Sequence, residues 1–200
     1  MARGKSLSER RYVRRDEVLD QLIDLFLTHG FSQWSVADLA AELRCSKTTL
    51  YLIADSKEQL VTRTVRAYFQ RAALRIDERI AREPDPVEKL VAYVSAVAAE
   101  LKPAMPVFYA DVAAFDPANE IYEANTAYAT QKVKGLITEG VLAGLLRPVD
   151  AGFIGAVAAQ VMVAIQRGDI GRVTGTDHAQ AYAQLADLLL NSLRPPTARV

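Results

Sequence analysis

Three side chains suited to reading a nucleic acid stand close together at Lys47, Thr48 and Tyr51. If the segment is helical, positions i, i+1 and i+4 share one side, while Leu50 and Ile53 fall on the opposite, inward side. A short helix displaying a cation, a methyl-bearing hydroxyl and a phenol suits the major groove of DNA. Lys reaches guanine acceptors, the Thr methyl meets the thymine methyl, and Tyr reaches a phosphate or a base. The plainer alternative is an exposed polar face with no partner, and the surrounding sequence decides between the two.

Other chemistries find little support. The chain has no G-x-S-x-G elbow, Walker loop, dinucleotide fingerprint or H-E-x-x-H pair, so a helical enzyme is the least favoured reading. Cys45 is the single cysteine, which rules out an intramolecular disulfide or a cysteine metal cluster. Its turn position reads as core filling. Neither histidine, His29 or His178, follows a Glu at the i−3 spacing that di-iron bundles use. No metal or cofactor is expected.

The 24 Lys and Arg residues balance the 24 Asp and Glu, but their distribution is uneven. Arg3, Lys5, Arg10, Arg11, Arg14 and Arg15 precede residue 16 against Glu9 alone. Such a basic arm over residues 1–14 is either a solvated tail or a strand of cations that neutralises phosphates or enters the minor groove. The neutral remainder argues against indiscriminate coating of nucleic acid. No apolar run approaches the roughly 18 to 20 residues that span a bilayer, and the N-terminus leads into charge, so a cytoplasmic protein without a membrane association is expected.

The elements that must position these residues are all helical. Val18, Leu19, Leu22, Ile23, Leu25 and Phe26 recur at helical spacing, and Gly30 suits the left-handed position after His29. Ser35 with Asp38 forms a capping-box pattern ahead of Val36, Leu39, Ala40 and Leu43. A break at Arg44-Cys45-Ser46 precedes a short helix from Lys47 to Ile53, capped by Ser46. Two short helices across a three-residue break form the helix-turn-helix pattern. Ser56 and Gln59 then open a long helix to about Arg82, roughly 39 Å at 1.5 Å per residue.

Asp85 and Pro86 start the next helix, to Leu101. Others run from Met105 to Phe115, from Ala118 to Leu146, from Asp150 to Arg167, and from Thr176 or Asp177 to the Pro195-Pro196 stop. Residues 168–175, with Gly168, Gly171 and Gly175, read as a loop. The expectation is an all-α chain of about nine helices, split into a helix-turn-helix domain over 15–60 and a larger domain over 61–200.

The run Trp34-Ser35-Val36-Ala37-Asp38-Leu39-Ala40, then Ser46-Lys47-Thr48-Thr49-Leu50-Tyr51, then Asp55-Ser56-Lys57-Glu58-Gln59-Leu60 closely resembles the DNA-binding domain of the TetR family over roughly residues 15–65. The resemblance implies that Lys47, Thr48 and Tyr51 reach base edges, and that Ser35, Thr49 and Lys57 hold phosphates. Lys57 also stands at a helix start, where free N–H groups favour an anion. The chain departs from the family where Gly is common in the turn and Arg44 stands instead, a strained choice if the left-handed conformation is kept. It departs again at Leu52-Ile53-Ala54, where an aromatic or His cluster often follows the Tyr. Operator preference is therefore not transferable.

For the larger domain the resemblance rests only on helix order and on the segment from Glu139-Gly140 to Asp150. Tyr93, Phe108, Tyr109, Phe115, Tyr122 and Tyr128, with Met105 and Met162, are candidates to line an apolar effector cavity in which phenols orient a ligand. Core packing alone explains most of these residues. Gly155, Ala159 and Val163 make a smooth stripe, and Leu185 and Leu189 belong to a helix apolar on more than one side, so these five are the expected dimer interface. Dimerisation also follows from DNA reading, because one short recognition helix reads too few base pairs. The expected function is a transcriptional repressor that, as a homodimer, binds palindromic double-stranded operator DNA and is released by a small, mostly apolar molecule. The alternative is a DNA-binding dimer that answers to a protein partner or to nothing.

Overall fold

Serine and aspartate caps set most of the helix starts. The computed structural model describes the backbone of residues 7–195 and the side chains of residues 15–195. Ten helices are present among them: α1 (Leu7–His29), α2 (Val36–Glu42), α3 (Lys47–Tyr51), α4 (Lys57–Ile80), α5 (Pro86–Leu101), α6 (Pro106–Ala114), α7 (Asp116–Leu142), α8 (Ala151–Gln166), α9 (Asp169–Thr174) and α10 (His178–Leu193). Ser35, Ser46, Ser56, Asp85, Asp150 and Asp177 each accept a backbone N–H of the first turn, satisfying donors that have no partner within the helix. At α2 the box is complete, and the Ser35 hydroxyl and N–H hold the Asp38 carboxyl below its ordinary range.

One element differs from the sequence reading. Residues 169–174 form the short helix α9 instead of a loop, so the helices number ten. Gly168 and Gly175, both left-handed at φ 77° and 75°, bracket it, and between them Asp169 to Thr174 close one and a half turns with Arg172 paired to Asp169. Glycines read as loop markers were helix ends. The long helix α7 also stops at Leu142, four residues before the expected limit, where Gly144 turns left-handed at φ 72°.

α1 to α3 form an N-terminal helix-turn-helix unit around Leu22, Phe26, Leu39, Leu50 and Ile53, all almost fully buried. α4 leaves this unit and runs into the second domain, where it packs on α5 and α7. There α8 lies along α7, and α10 packs against α5 and α8. No single helix among the described residues is long and apolar enough to cross a membrane.

The stripe expected at a dimer interface is largely internal. Gly155, Ala159, Leu185 and Leu189 are buried within the protomer, so they build its own core instead of an outer face. Gly155 is the contact point of α8 on α7: a Cβ there would lie 3.0 Å from the Thr130 carbonyl oxygen and 3.3 Å from the Lys134 nitrogen. Those atoms are backbone and yield little. Gly155→Val is accordingly expected to destabilise the fold by about 1 to 3 kcal/mol through overpacking, read as a lower urea midpoint with an unchanged slope.

Candidate functional site

Two places in the fold could carry function. The first is α3. Ser46 caps it, and Leu50 and Ile53 anchor it in the core at 1% exposure each. This anchoring leaves Lys47, Thr48 and Tyr51 outward, with Tyr51 47% exposed despite its large ring. A large aromatic is rarely left in water when it could be packed, so its outward position is informative. Arg44, in the turn before α3, adopts φ 49°, the only positive φ at a described residue other than glycine. A left-handed arginine carries strain of the order of 1 kcal/mol, retained here because the turn sets the angle between α2 and α3.

The residues expected at phosphates are less uniform. Ser35 is exposed, with its hydroxyl 2.6 Å from Asp38 Oδ2. Thr49 is buried, with its hydroxyl 2.9 Å from Ser46 Oγ, so its side chain serves the cap and does not face outward. Lys57 is half-buried and its Nζ donates to the Ser32 carbonyl at 3.0 Å. Two ammonium protons remain for an anion. Of the basic arm, residues 1–6 and the side chains of 7–14 lie outside the described residues.

The second place is a partly open cavity of the helical domain between α4, α5, α7 and α8. Its volume is ≈ 40 Å³, well below the roughly 300 to 1,000 Å³ of pockets that hold drug-sized ligands. Of the residues expected there, Tyr93, Tyr128 and Met162 line it. Phe108, Tyr109 and Tyr122 instead pack on one another, with ring centroids 5.4 Å apart for Phe108 and Tyr109 and 6.0 Å for Tyr109 and Tyr122. Met105 is half-exposed at the start of α6, and Phe115 lines a separate cleft at the junction of the domains. Aromatic content alone could not sort lining from packing.

Sequence reasoning missed Gln166, which lines the cavity and is 7% exposed. Its Oε1 accepts from the Tyr122 hydroxyl at 2.7 Å, and its Nε2 donates to the Tyr182 oxygen at 3.0 Å. Burial pushes the Tyr122 phenol up to about 12 and raises those of Tyr68, Tyr93, Tyr109 and Tyr182 further. All five stay protonated and neutral at physiological pH.

The two places are joined by a link that no local pattern announced. Asp111, on α6, accepts the Phe31 N–H at 2.5 Å and the Ser32 N–H at 2.8 Å through Oδ2, gripping the turn after α1. The Met105 N–H donates to the Leu27 carbonyl at 2.8 Å, a second tie between α6 and α1. Phe31 stands between Phe26, Phe108 and Phe115, at 5.5, 6.4 and 6.2 Å between centroids. Phe108 touches Tyr68 and Phe69 in turn, and Phe69 lines the cavity.

A helix-turn-helix unit with an outward-facing third helix is joined to a larger helical part that holds a small cavity. Residues 18–64 match the family model for bacterial regulatory proteins of the tetR family. The full architecture is shared with solved structures of low sequence identity. A TetR transcription regulator from Haloarcula marismortui aligns with TM-score 0.78 and 14% identity, covering 92% of this chain and 100% of that one. A putative transcriptional regulator from Saccharomonospora viridis, solved in complex with choline, aligns with TM-score 0.74 and 19% identity over 92% and 99%. A TetR-family regulator from Agrobacterium tumefaciens gives TM-score 0.72 and 17% identity over 92% and 100%. Among curated proteins no sequence matches the chain.

The Asp111 link sets a measurable expectation. Asp111→Leu leaves the Phe31 and Ser32 N–H groups without their charged acceptor, and a hydrogen bond to a charged group contributes about 1.5 to 3 kcal/mol. Equilibrium unfolding should show a loss of about that size, with Asp111→Asn, which keeps one carbonyl acceptor, losing less.

Proposed function

We propose that the protein is a homodimeric transcriptional repressor of the cytoplasm, bound to palindromic operator DNA through α3 and released by a small effector in the α4–α5–α7–α8 cavity. The observation that carries the DNA half is the outward set of Lys47, Thr48 and Tyr51 on a helix anchored from behind, within a tetR-family domain. Lys47 and Thr48 read base edges, and Tyr51 reaches a base or a phosphate. Ser35 and Lys57 contact phosphates, which fix register without reading sequence.

The dimer needs a different face from the one expected. Phe153 and Val157 on α8 are 64% and 43% exposed, and Leu188 on α10 is 65% exposed. Phe153 and Val157 are four residues apart and share a face. Large apolar side chains left in water on neighbouring helices favour a partner surface there, and a twofold pairing of α8 and α10 would cover them. Two recognition helices then stand on one side of the dimer and meet successive half-sites.

Release follows from the size of the cavity. A drug-sized molecule enters only if α4 and its neighbours part, so such a ligand binds an opened state and shifts the population towards it. Phe69 on α4 hands that movement to Phe108 on α6, and α6 holds the α1–α2 turn through Asp111. The recognition helices are reset together with the turn. Couplings of this kind are typically about 1 to 3 kcal/mol and reciprocal.

Selection of binding duplexes from a random pool, followed by footprinting, tests the reading. Lys47→Ala and Tyr51→Ala should each weaken the selected site by about 1 to 3 kcal/mol, while non-specific binding is kept. Undiminished site binding by the double variant sinks the assignment. For the interface, a Phe153→Glu, Leu188→Glu double variant should sediment as a folded monomer with sharply reduced operator affinity. A dimer that persists would move the interface elsewhere.

A further inference from the structure

A second cleft opens where the turn after α1 meets the start of α4 and the end of α6. Its volume is ≈ 320 Å³, within the roughly 300 to 1,000 Å³ of pockets that hold small molecules. Phe31, Val61, Ala114 and Phe115 form the apolar part of its lining, with the two rings edge to face at 6.2 Å between centroids. The rest of the lining is Ser32, Lys57, Glu58 and Asp111.

Opposite charges converge there on one residue. Lys57 comes from α4 and its Nζ donates to the Ser32 carbonyl at 3.0 Å, while Asp111 comes from α6 and its Oδ2 accepts the Ser32 N–H at 2.8 Å. An ammonium and a carboxylate therefore stand at the two ends of a single residue's backbone, on the wall of the cleft. Among the described residues neither of them enters an ion pair, and Glu58 enters none. Lys57 keeps two N–H donors, and Asp111 keeps the lone pairs of its second oxygen. Both side chains are half-buried, so a ligand charge that meets them is screened less than one on the open surface.

We propose that this cleft binds a free α-amino acid with an apolar side chain. The ligand carboxylate takes the remaining donors of Lys57, its ammonium takes the second oxygen of Asp111 with Glu58 beside it, and its side chain lies against Phe31, Val61 and Phe115. An α-amino acid bears both charges on one carbon, which matches an ammonium and a carboxylate held one backbone unit apart. An amine lacking the carboxylate would meet Lys57 as a like charge, and an acid lacking the ammonium would meet Asp111 and Glu58 so. The site is separate from the α4–α5–α7–α8 cavity and does not depend on what that cavity holds. Lys57 is also assigned to a phosphate, so amino acid and operator compete for one ammonium.

The test is calorimetric titration of the full-length protein with L-phenylalanine and its two deletions, phenethylamine, which lacks the carboxylate, and hydrocinnamate, which lacks the ammonium. L-Phenylalanine should bind with a Kd below about 1 mM. Each deletion should bind at least about tenfold more weakly, since a hydrogen bond between charged groups is lost. Lys57→Met should bring L-phenylalanine down to the level of phenethylamine, because its carboxylate then has no partner. Ala114→Leu, at an exposed position of the cleft wall, leaves every charge in place and narrows the cleft. It should weaken L-phenylalanine by about tenfold, and it keeps the test open if Lys57→Met unfolds. No binding of L-phenylalanine, equal or tighter binding of either deletion, or undiminished binding to either variant overturns the proposal. A saturating operator duplex should weaken L-phenylalanine by competition. That arm rests on the DNA reading of Lys57, and unchanged affinity there removes Lys57 from the phosphates while the amino-acid site stands.

Discussion

The Asp111 carboxylate, eighty residues from the turn it holds, accepts the N–H groups of Phe31 and Ser32 and so joins the helix-turn-helix unit to the helices behind it. Several features of the sequence make sense only with this grip in place. Gly30 turns left-handed at φ 71°, and a Cβ there would overlap the same carboxylate, so the position excludes a side chain on two grounds. Phe31, next in line, is driven into the α6 aromatics. α2 and α3 follow directly from the turn. The placement of α3 is therefore set from the far side of the molecule, through these backbone amides, as well as by its own buried Leu50 and Ile53.

What the sequence makes legible are features whose cause is local. Ser35 with Asp38, Ser46, Ser56, Asp85, Asp150 and Asp177 cap helices because a short polar side chain meets free N–H groups two or three residues on, and that arrangement is visible in the order of residues. The inward pair Leu50 and Ile53 and the outward set on α3 follow from helical spacing in the same way. Gly168 and Gly175 show the limit: a left-handed glycine ends a helix and also begins a loop, and only the closing of α9 between them distinguishes the two.

Face assignment in the second domain is illegible for a different reason. α8 carries apolar residues all round, so its period does not say which side is inside. Gly155 and Ala159 turn out to be internal because α7 approaches closely there, whereas Phe153 and Val157 look outward. Gln166 and Asp111 escape notice because a lone amide and a lone carboxylate have no pattern at all. Their roles come from partners 16 to 80 residues away, at Tyr182, Tyr122 and Phe31.

The aromatic chain between cavity and turn suits the transmission of small displacements because close-packed interiors do not absorb them. Phe69, Phe108 and Phe31 meet edge-on or tilted, at 6.3 and 6.4 Å between successive centroids, and Phe69 and Phe108 also contact Tyr68. Such rings move as a block or exchange one arrangement for another, since sliding one alone opens a void or a clash. The alanine-walled cavity lies beside this block, with Phe69 in both. It gives up side-chain contacts that larger residues would make, at a cost in stability that grows with the volume left empty.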